Sequence, residues 1–404
     1  MGALPQHYTI SGSVLDDLSS GWAKSGGTGT VSYDATQPTW SDATTGGLLF
    51  DQDTNGGVLV ARKTLGAALD LSRTANIAIR FAEPVTSPQR VQFTMWMSGA
   101  FTAGFSYQIN SSSFQVSPNQ NTIVLDRAAF TVTGAGDWTN INILQLQCDS
   151  LSGTQADVRI GPIYKDVYTR PKVVIWFDDG NASDYNNCYP VLSDLGLKAN
   201  IAFYSDNLNA TNFLTTAMCD TLYGAGWDFV NHTQTHPNLT TKTAEEVADE
   251  FDVCTRVMQA NGWTRGNDFA VYPQGATNTT VDGVAQQRFL ACRGGRNSFT
   301  NFQQASFGGL DYPLRLVTKS TLDNNTTTLN QAYTALDDCV RLGSMLNVFC
   351  HSVVNGGSGT TWELDTKFIP FFTRVARYQD SNLLDVVTIS DYYNGMTNPR
   401  RRRA

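Results

Sequence analysis

The sequence predicts two domains of different class: an all-β, jelly-roll-like sandwich over residues 1–168, then an α/β domain over residues 169–396 that closes as a distorted (β/α)7-type barrel, with a basic tail at 397–404. Three observations lead there. A chain of 404 residues is too long for one ordinary hydrophobic core. Before residue 168 the apolar residues alternate with period two and no helical stripe occurs. From Lys172 onward the rhythm changes to strand, loop and helix, repeated.

In the first domain, Ile77 to Phe81, Val91 to Met97 and Phe105 to Ile109 alternate strictly, which implies one buried and one wet face per strand. Clusters such as Ser25-Gly26-Gly27-Thr28-Gly29 and Ser111-Ser112-Ser113 punctuate these runs as turns. Many short antiparallel strands at such spacing suggest a sandwich or jelly roll. Trp138 to Cys148 followed by Asp157 to Ile160 reads as a closing hairpin. Its pattern resembles the last strands of jelly-roll carbohydrate-binding modules, so the domain is expected to hold a polymer or to anchor the chain.

The second domain opens on Val173-Val174-Ile175-Trp176-Phe177-Asp178-Asp179-Gly180, an apolar run that ends in two adjacent carboxylates. β-Branched and aromatic content between Pro171 and Gly180 makes this a buried strand. The acids then sit at its C-terminal edge, where parallel α/β folds bind ligands. A helix N-cap is the bland alternative for either aspartate. Further strands are expected at Ala199–Tyr204, Trp227–Val230, Phe269–Tyr272, Leu290–Arg293, Leu314–Thr318, Leu346–Cys350 and Leu384–Thr388. Helices are expected at Asp184–Leu195, Asn212–Tyr223, Leu329–Leu342 and Asp365–Tyr378. Another carries the stripe Val247, Phe251, Cys254, Met258 behind a Thr243/Glu246 capping box. Seven or eight such units imply a parallel sheet, most economically an incomplete or distorted barrel, with the domain boundary between Lys165 and Arg170.

Hydrophobic content of 41% with 16% charged residues marks a globular chain. A net charge of -8 argues against a nucleic-acid partner, and the basic run Arg400 to Arg403 reads as a solvated terminal tail. No stretch is long and apolar enough for a membrane helix. The first residues lack the pattern of a secretion signal, and the seven scattered cysteines read as reduced. The expectation is a protein made in a cytoplasm that reaches its target by another route, or else a chain whose signal has been removed. A homo-oligomeric bacteriophage tail component acting on capsule or cell-wall glycan fits that.

The chain has four histidines, and three fall at predicted strand ends. His232 and His236 follow Trp227–Val230, and His351 follows Leu346–Cys350. A spacing of four puts two imidazoles on one side of a helical turn, close enough to share a metal. A carboxylate from a neighbouring strand completes a His-His-Asp site with open positions, suited to zinc or a similar divalent ion and poorly to magnesium. One such histidine alone reads as a core residue; three at matching edges, facing two acids, do not.

Phe177-Asp178-Asp179-Gly180, His232-Thr233-Gln234-Thr235-His236, Val271-Tyr272-Pro273-Gln274-Gly275 and Val348-Phe349-Cys350-His351 stand in an order that resembles the polysaccharide deacetylases of carbohydrate esterase family 4, over about residues 170 to 392. The resemblance implies a distorted (β/α) barrel that removes acetyl groups, N- or O-linked, from an acetylated polysaccharide. It implies one divalent ion, foremost Zn2+ with Co2+ or Ni2+ as alternatives, held by Asp179, His232 and His236. Asp178 takes the position of the catalytic base and His351 that of the general acid. The turn Tyr272-Pro273-Gln274 takes the substrate and oxyanion position, with the Gln274 amide as donor.

One departure is visible. The third motif of that family begins with an arginine that pairs with the catalytic aspartate, and this chain has Val271 there. Arg296 is the expected replacement, with Arg293 as the alternative. Asp311 and Arg315 fall where a fourth motif would lie and receive no role. Trp176, Tyr204, Tyr272 and Tyr312 are candidate aromatic platforms, although the place of Trp176 within its strand points it into the core. The missing arginine keeps a second reading open, a glycan-binding or adhesion protein whose barrel has lost catalysis. A third, peptidase-like or cyclic-amide chemistry, would use the same metal with a different pocket.

Overall fold

The computed structural model describes residues 12–39, 45–52, 57–82, 90–110, 121–150, 157–168, 170–294, 304–306, 320–323, 325 and 327–397. Backbone proximity divides the chain into two units, one of residues 6–169 with 303–312, the other of residues 1–5, 170–302 and 313–404.

The first unit contains β1 (Ser13–Asp16), β2 (Trp22–Gly27), β3 (Thr30–Thr39), β4 (Thr45–Asp51), β5 (Val58–Leu69), β6 (Asn76–Ala82), β7 (Arg90–Trp96), β8 (Gly104–Asn110), β9 (Asn121–Asp126), β10 (Thr131–Thr133), β11 (Ile141–Asp149) and β12 (Asp157–Lys165). They form two antiparallel sheets. One runs β9-β6-β12-β4-β3 with β1 also on β12; the other runs β10-β8-β7-β11-β5-β2. One core fills both inner faces, with Phe50, Ile79, Phe81 and Ile160 from the first sheet and Leu59, Phe93, Met95 and Leu146 from the second.

Two expectations change here. β11 and β12 lie in different sheets, so they are not a hairpin. β6 has no wet face: Ala78 and Arg80 are as buried as Ile77, Ile79 and Phe81, and the Arg80 guanidinium lies 5.3 Å from the Tyr164 ring centroid. Alternation in sequence marks which face is apolar, and tertiary cover decides whether the other meets water.

In the second unit, β13 (Lys172–Asp178), β14 (Asn200–Phe203), β15 (Asp228–Asn231), β16 (Phe269–Val271), β17 (Ala291–Arg293), β19 (Ser320–Thr321) and β20 (Met345–Cys350) form a parallel sheet in the order β17-β16-β15-β14-β13-β20-β19, and β23 (Asp385–Val386) adds to the start of β13. The segment between β17 and β19 holds β18 (Gln304–Ser306), which pairs antiparallel with β9 in the first unit. The sheet is the expected incomplete, distorted barrel: seven strands lie in that order, β23 adds an eighth beside β13, and β17 and β19 do not pair among the described residues. It nevertheless curls, because Arg293 on β17 touches Asp178 on β13, four places away. The strand expected at Leu314–Thr318 lies outside the described residues, as do Asp311, Tyr312, Arg315 and the Arg400–Arg403 tail.

β13 is buried along its whole length. Val173, Ile175 and Phe177 pack into the layer shared with the helices, which puts Val174, Trp176 and Asp178 on the other face. The helices are α1 (Tyr189–Asp194, entered through a π-turn from Asp184), α2 (Thr216–Gly224), α3 (Ala244–Ala260), α4 (Thr279–Ala285), α5 (Leu329–Leu342), α6 (Ile369–Asp380, entered through a π-turn from Leu364) and α7 (Ile389–Thr397). The expected Thr243/Glu246 capping box is formed at α3, and Val247, Phe251, Cys254 and Met258 are its buried stripe. At the N-terminal edge of the sheet, Asn200 Oδ1 and Asp228 Oδ2 accept from the amides of Ile389 and Ser390 and dock the start of α7. That edge serves stability and the opposite edge carries the chemistry, as parallel α/β sheets generally divide them. All seven cysteines are buried, and none forms a disulfide. No helix among the described residues is long and apolar enough to cross a membrane.

Candidate active site

At the C-terminal edge the strands deliver the expected Asp178, Asp179, His232, His236 and His351 together. β13 ends in Asp178 and turns through Asp179 (φ 75°) and Gly180 (φ 70°). Two successive left-handed residues suit glycine at the second place and cost strain at the first, a cost typical of residues held for function. Asp179 Oδ1 lies 3.7 Å from His232 Nε2 and 3.4 Å from His236 Nε2. One ligand atom from each of the three residues falls within 4.8 Å of the other two.

The histidines do not share a helical turn, contrary to expectation. The segment after β15 is a loop in which Thr233 (φ 74°) and His236 (φ 59°) are left-handed, and this brings the two imidazoles to 4.8 Å between ring centroids. Internal and external bonds hold it. Asn231 Oδ1 accepts from Thr233 N, and Thr233 Oγ1 accepts from His236 N. Glu250, reaching up from α3, accepts from the amides of Gln234 and Thr235 at 3.0 and 2.8 Å and from the Thr235 hydroxyl at 2.6 Å. Glu250 escaped the sequence reading, although a glutamate three residues after Val247 and four before Cys254, inside a buried stripe, is a signal.

The donor set fits a borderline divalent cation. His232 Nδ1 lies 2.7 Å from the Val271 carbonyl oxygen, to which it donates in the tautomer that leaves Nε2 free as a ligand. Burial would raise the Asp179 carboxyl, but the nearby imidazoles of His232, His351 and His236 outweigh it and hold the carboxyl below its ordinary value. Burial, reinforced by His232, pushes the His236 imidazole down and keeps it neutral. Metal binding requires an ionised carboxylate and neutral imidazoles, and the shifts of Asp179 and His236 both run in that direction.

Asp178 does not join that cluster. It points to Arg293, whose Nη2 donates to Asp178 Oδ1. Both side chains are buried, 8% and 1% exposed, so the pair is shielded from solvent screening. The guanidinium also lies 5.1 Å from the Trp176 ring centroid and 4.7 Å from that of Phe349. The arginine that pairs with Asp178 is therefore Arg293, the alternative weighed against Arg296; Arg296 itself lies outside the described residues. Trp176 is 1% exposed, with its Nε1 on Asn347 Oδ1 at 3.0 Å, and so is no substrate platform.

His351 follows β20 and lines the same cavity, of about 260 Å3, as Asp178, His232, His236 and Gln274. Its carbonyl accepts from Asn181 Nδ2 at 3.0 Å, and the same amide donates to the Asp178 carbonyl at 3.0 Å. Asn181 thus joins the two strand ends that carry Asp178 and His351. The His351 Nδ1 is buried without a hydrogen-bond partner among the described residues.

Opposite, Tyr272-Pro273-Gln274-Gly275 forms a tight turn with Gln274 left-handed (φ 56°, ψ 11°). The turn is closed by Gly275 N on Tyr272 O and Ala276 N on Pro273 O, and neither bond uses the Gln274 N–H. Tyr272 is buried, with its hydroxyl on Asp282 Oδ1 at 3.3 Å, so its ring forms wall and not platform. Tyr204 is half-buried, 5.3 Å from the His236 ring. Behind the site Asp184 is fully buried, and burial raises its carboxyl well above the ordinary range. Its Oδ2 has no hydrogen-bond partner among the described residues.

The polysaccharide deacetylase family model matches residues 165–290. The chitin deacetylase of Amylomyces rouxii is 29% identical over 160 residues, 37% of this chain and 34% of that protein, so the chain spans about a third of the curated relative's length. Among solved structures, the family 4 carbohydrate esterase of Streptomyces lividans is 17% identical over 54% of this chain and 91% of that one, with a TM-score of 0.37. The family 4 acetyl xylan esterase of Clostridium thermocellum, solved with a cobalt ion, is 16% identical over 55% and 90%, with a TM-score of 0.39.

Proposed function

We propose, from the premise that the barrel of this chain belongs to the polysaccharide deacetylase family, that the protein is a metal-dependent hydrolase removing acetyl groups from a polysaccharide. The observation that carries this is the separation of two aspartates adjacent in sequence: Asp179 turns to His232 and His236, and Asp178 turns away to Arg293. One carboxylate is built to ligate and the other to move a proton. A divalent ion held by Asp179, His232 and His236, with Zn2+ foremost, supplies Lewis acidity and lowers the pKa of a water to roughly 7.

The remaining steps belong to the chain. Asp178, kept beside Arg293, accepts the proton from the attacking water. The N–H of Gln274, a cavity-lining residue whose amide neither turn-closing bond uses, donates to the oxyanion as the acetyl carbon becomes tetrahedral. His351 delivers a proton to the departing nitrogen or oxygen of the sugar. Asn181 fixes the distance between acid and base through their two carbonyls. The reading of a lapsed barrel rested on Val271, and Arg293 supplies the charge that Val271 lacks.

Acetate release from acetylated xylan and acetylated chitin, measured with chelator and after zinc is added back, tests this reading. Zinc-restored release is expected. Absence of release from every polymer by the zinc-loaded chain refutes it. We also propose that the chain works as an oligomer on a virion tail; a monomer by size exclusion with light scattering refutes the oligomer.

A further inference from the structure

The loop that carries both metal-site histidines is held differently at its two ends. His232 is fixed by the sheet: its amide donates to the Phe203 carbonyl at 2.9 Å, and its Nδ1 lies 2.7 Å from the Val271 carbonyl oxygen. His236, four residues on, belongs to no strand. Its Nε2 lies 3.4 Å from Asp179, and its place otherwise depends on the backbone course of Thr233, Gln234 and Thr235. That course is an unfavourable one, since Thr233 and His236 are both left-handed and a β-branched residue rarely adopts that state. Such residues persist only where their surroundings hold them.

The four amides from Thr233 to His236 all donate to side chains. Thr233 N uses Asn231 Oδ1 and His236 N uses Thr233 Oγ1, within the loop itself. The two between them, Gln234 N and Thr235 N, converge on a single oxygen, Glu250 Oε2, at 3.0 and 2.8 Å. Successive amides aimed at one anion form a nest. The other carboxylate oxygen, Oε1, accepts from the Thr235 hydroxyl at 2.6 Å. The carbonyls of Thr233 and Gln234 accept in turn from the amides of Ser205 and Asp206. Glu250 is 9% exposed and stands on α3 between Val247 and Cys254, both fully buried, so its carboxylate is mounted on the core. A carboxylate so buried is costly without partners and binds strongly with them. Among the described residues, Glu250 is not one that lines the cavity.

We propose that Glu250 is a positioning residue for the metal: by capturing the Gln234 and Thr235 amides it holds the loop in the left-handed course that presents His236 beside His232 and Asp179 before any ion arrives. Without that capture the ion itself would have to order the loop, and affinity falls by the fraction of time the loop is competent. The quantity at stake is therefore retention of the metal. Once loaded, the centre keeps the same three ligands. This role deepens the deacetylase reading and rests on its site of Asp179, His232 and His236.

The test uses the full chain stripped of metal, with zinc alone as the probe, titrated in competition with a chromophoric chelator well below the melting point of each variant. Glu250→Ala should bind zinc about 10–100-fold more weakly than wild type, the usual worth of a group that orients a ligand. Glu250→Gln keeps the reach and an oxygen for the two amides, and its NH2 can donate to the Thr235 hydroxyl, so it should recover most of that loss. A merely structural role would lower the melting point and leave the zinc affinity of the folded chain unmoved. At saturating Co2+ the absorption spectrum of Glu250→Ala should match wild type; a changed spectrum would mean an altered ligand set and overturn the role as stated. Zinc affinity of Glu250→Ala within about twofold of wild type also overturns it, as does a Glu250→Gln chain as weak as Glu250→Ala. Should Glu250→Ala fail to fold, Glu250→Asp, which keeps the charge but withdraws the carboxylate by a methylene, carries the same expectation and the same refutation. A wild-type chain that binds no zinc would sink the metal-dependent reading and this role with it. Weakened zinc in the variant, with no acetate released by the loaded wild type, would uphold the role and sink the deacetylase.

Discussion

Replacing Arg293 with methionine removes the positive half of a buried pair while keeping most of its volume. Asp178 is then left with a charge, little solvent and no counter-ion, since its side chain is 8% exposed. Removing one partner of a buried ion pair costs about 3–5 kcal/mol, mainly because the other charge is stranded. For a unit of this size 1 kcal/mol moves the melting point by about 2–4 °C, so Arg293→Met should melt about 6–20 °C lower. Adding Asp178→Asn removes the stranded charge, and the double variant should recover about half of that loss or more. Differential scanning calorimetry measures both, read on the transition that chelator also lowers, because that one contains the metal site. A melting point within about 2 °C of wild type for Arg293→Met would show that the pair contributes little, and that Asp178 has another partner.

Asp178→Asn alone should bind zinc with wild-type stoichiometry and lose about 100-fold or more in acetate release, the usual worth of a positioned base; retained activity, measured beside metal content, contradicts the role. His232→Ala should lose both metal and turnover, and stoichiometric zinc in the purified variant would remove it from the ligand set. Asn181→Ala frees two backbone carbonyls and should lower kcat about tenfold with KM for a small acetyl ester unchanged, a barrier increase of about 1.4 kcal/mol. A kcat within twofold of wild type denies it that positioning role. Asp184→Asn concerns pH. The unfolded carboxyl releases its proton near 4, whereas the folded one holds it to higher pH, so above that point the folded state binds more protons. Wild-type stability should therefore fall relative to the variant as pH rises from about 4, by up to about 1 kcal/mol per unit; urea unfolding of the metal-free chains between pH 4 and 7 that shows a constant difference contradicts this.

Much of the second unit was legible because its signals are local. The apolar run into Asp178, the Thr243 capping box and the helix Leu329–Leu342 depend on neighbours within a turn or a strand, and all three are where the sequence puts them. The clustering of His232, His236 and Asp179 was legible from strand ends alone, since a parallel sheet gathers those ends at one edge. The route by which the histidines meet was not: a spacing of four fits a helical turn, and the left-handed residues Thr233 and His236 achieve the same approach in a loop. Arg293 was under-weighted because its contact crosses the curled sheet from β17 to β13, a relation that strand order does not encode. The burial of Arg80 in a strand that alternates cleanly was hidden for a similar reason, since the Tyr164 ring it meets is distant in sequence.

The strand β18, returned to the sheet of β9 by the chain between β17 and β19, has a practical consequence. The two units are not beads joined by one thread. A cut near Thr169, or a shortened chain that stops there, leaves the edge of β9 without its neighbour and exposes a row of unpaired backbone groups, a template for aggregation. The same cut leaves the remainder with a strand that has lost its sheet. Insoluble fragments would then report broken pairing and not a failure of either core to fold. Transplanting either unit onto another protein needs two junctions, one on each side of residues 303–312, in addition to the obvious one.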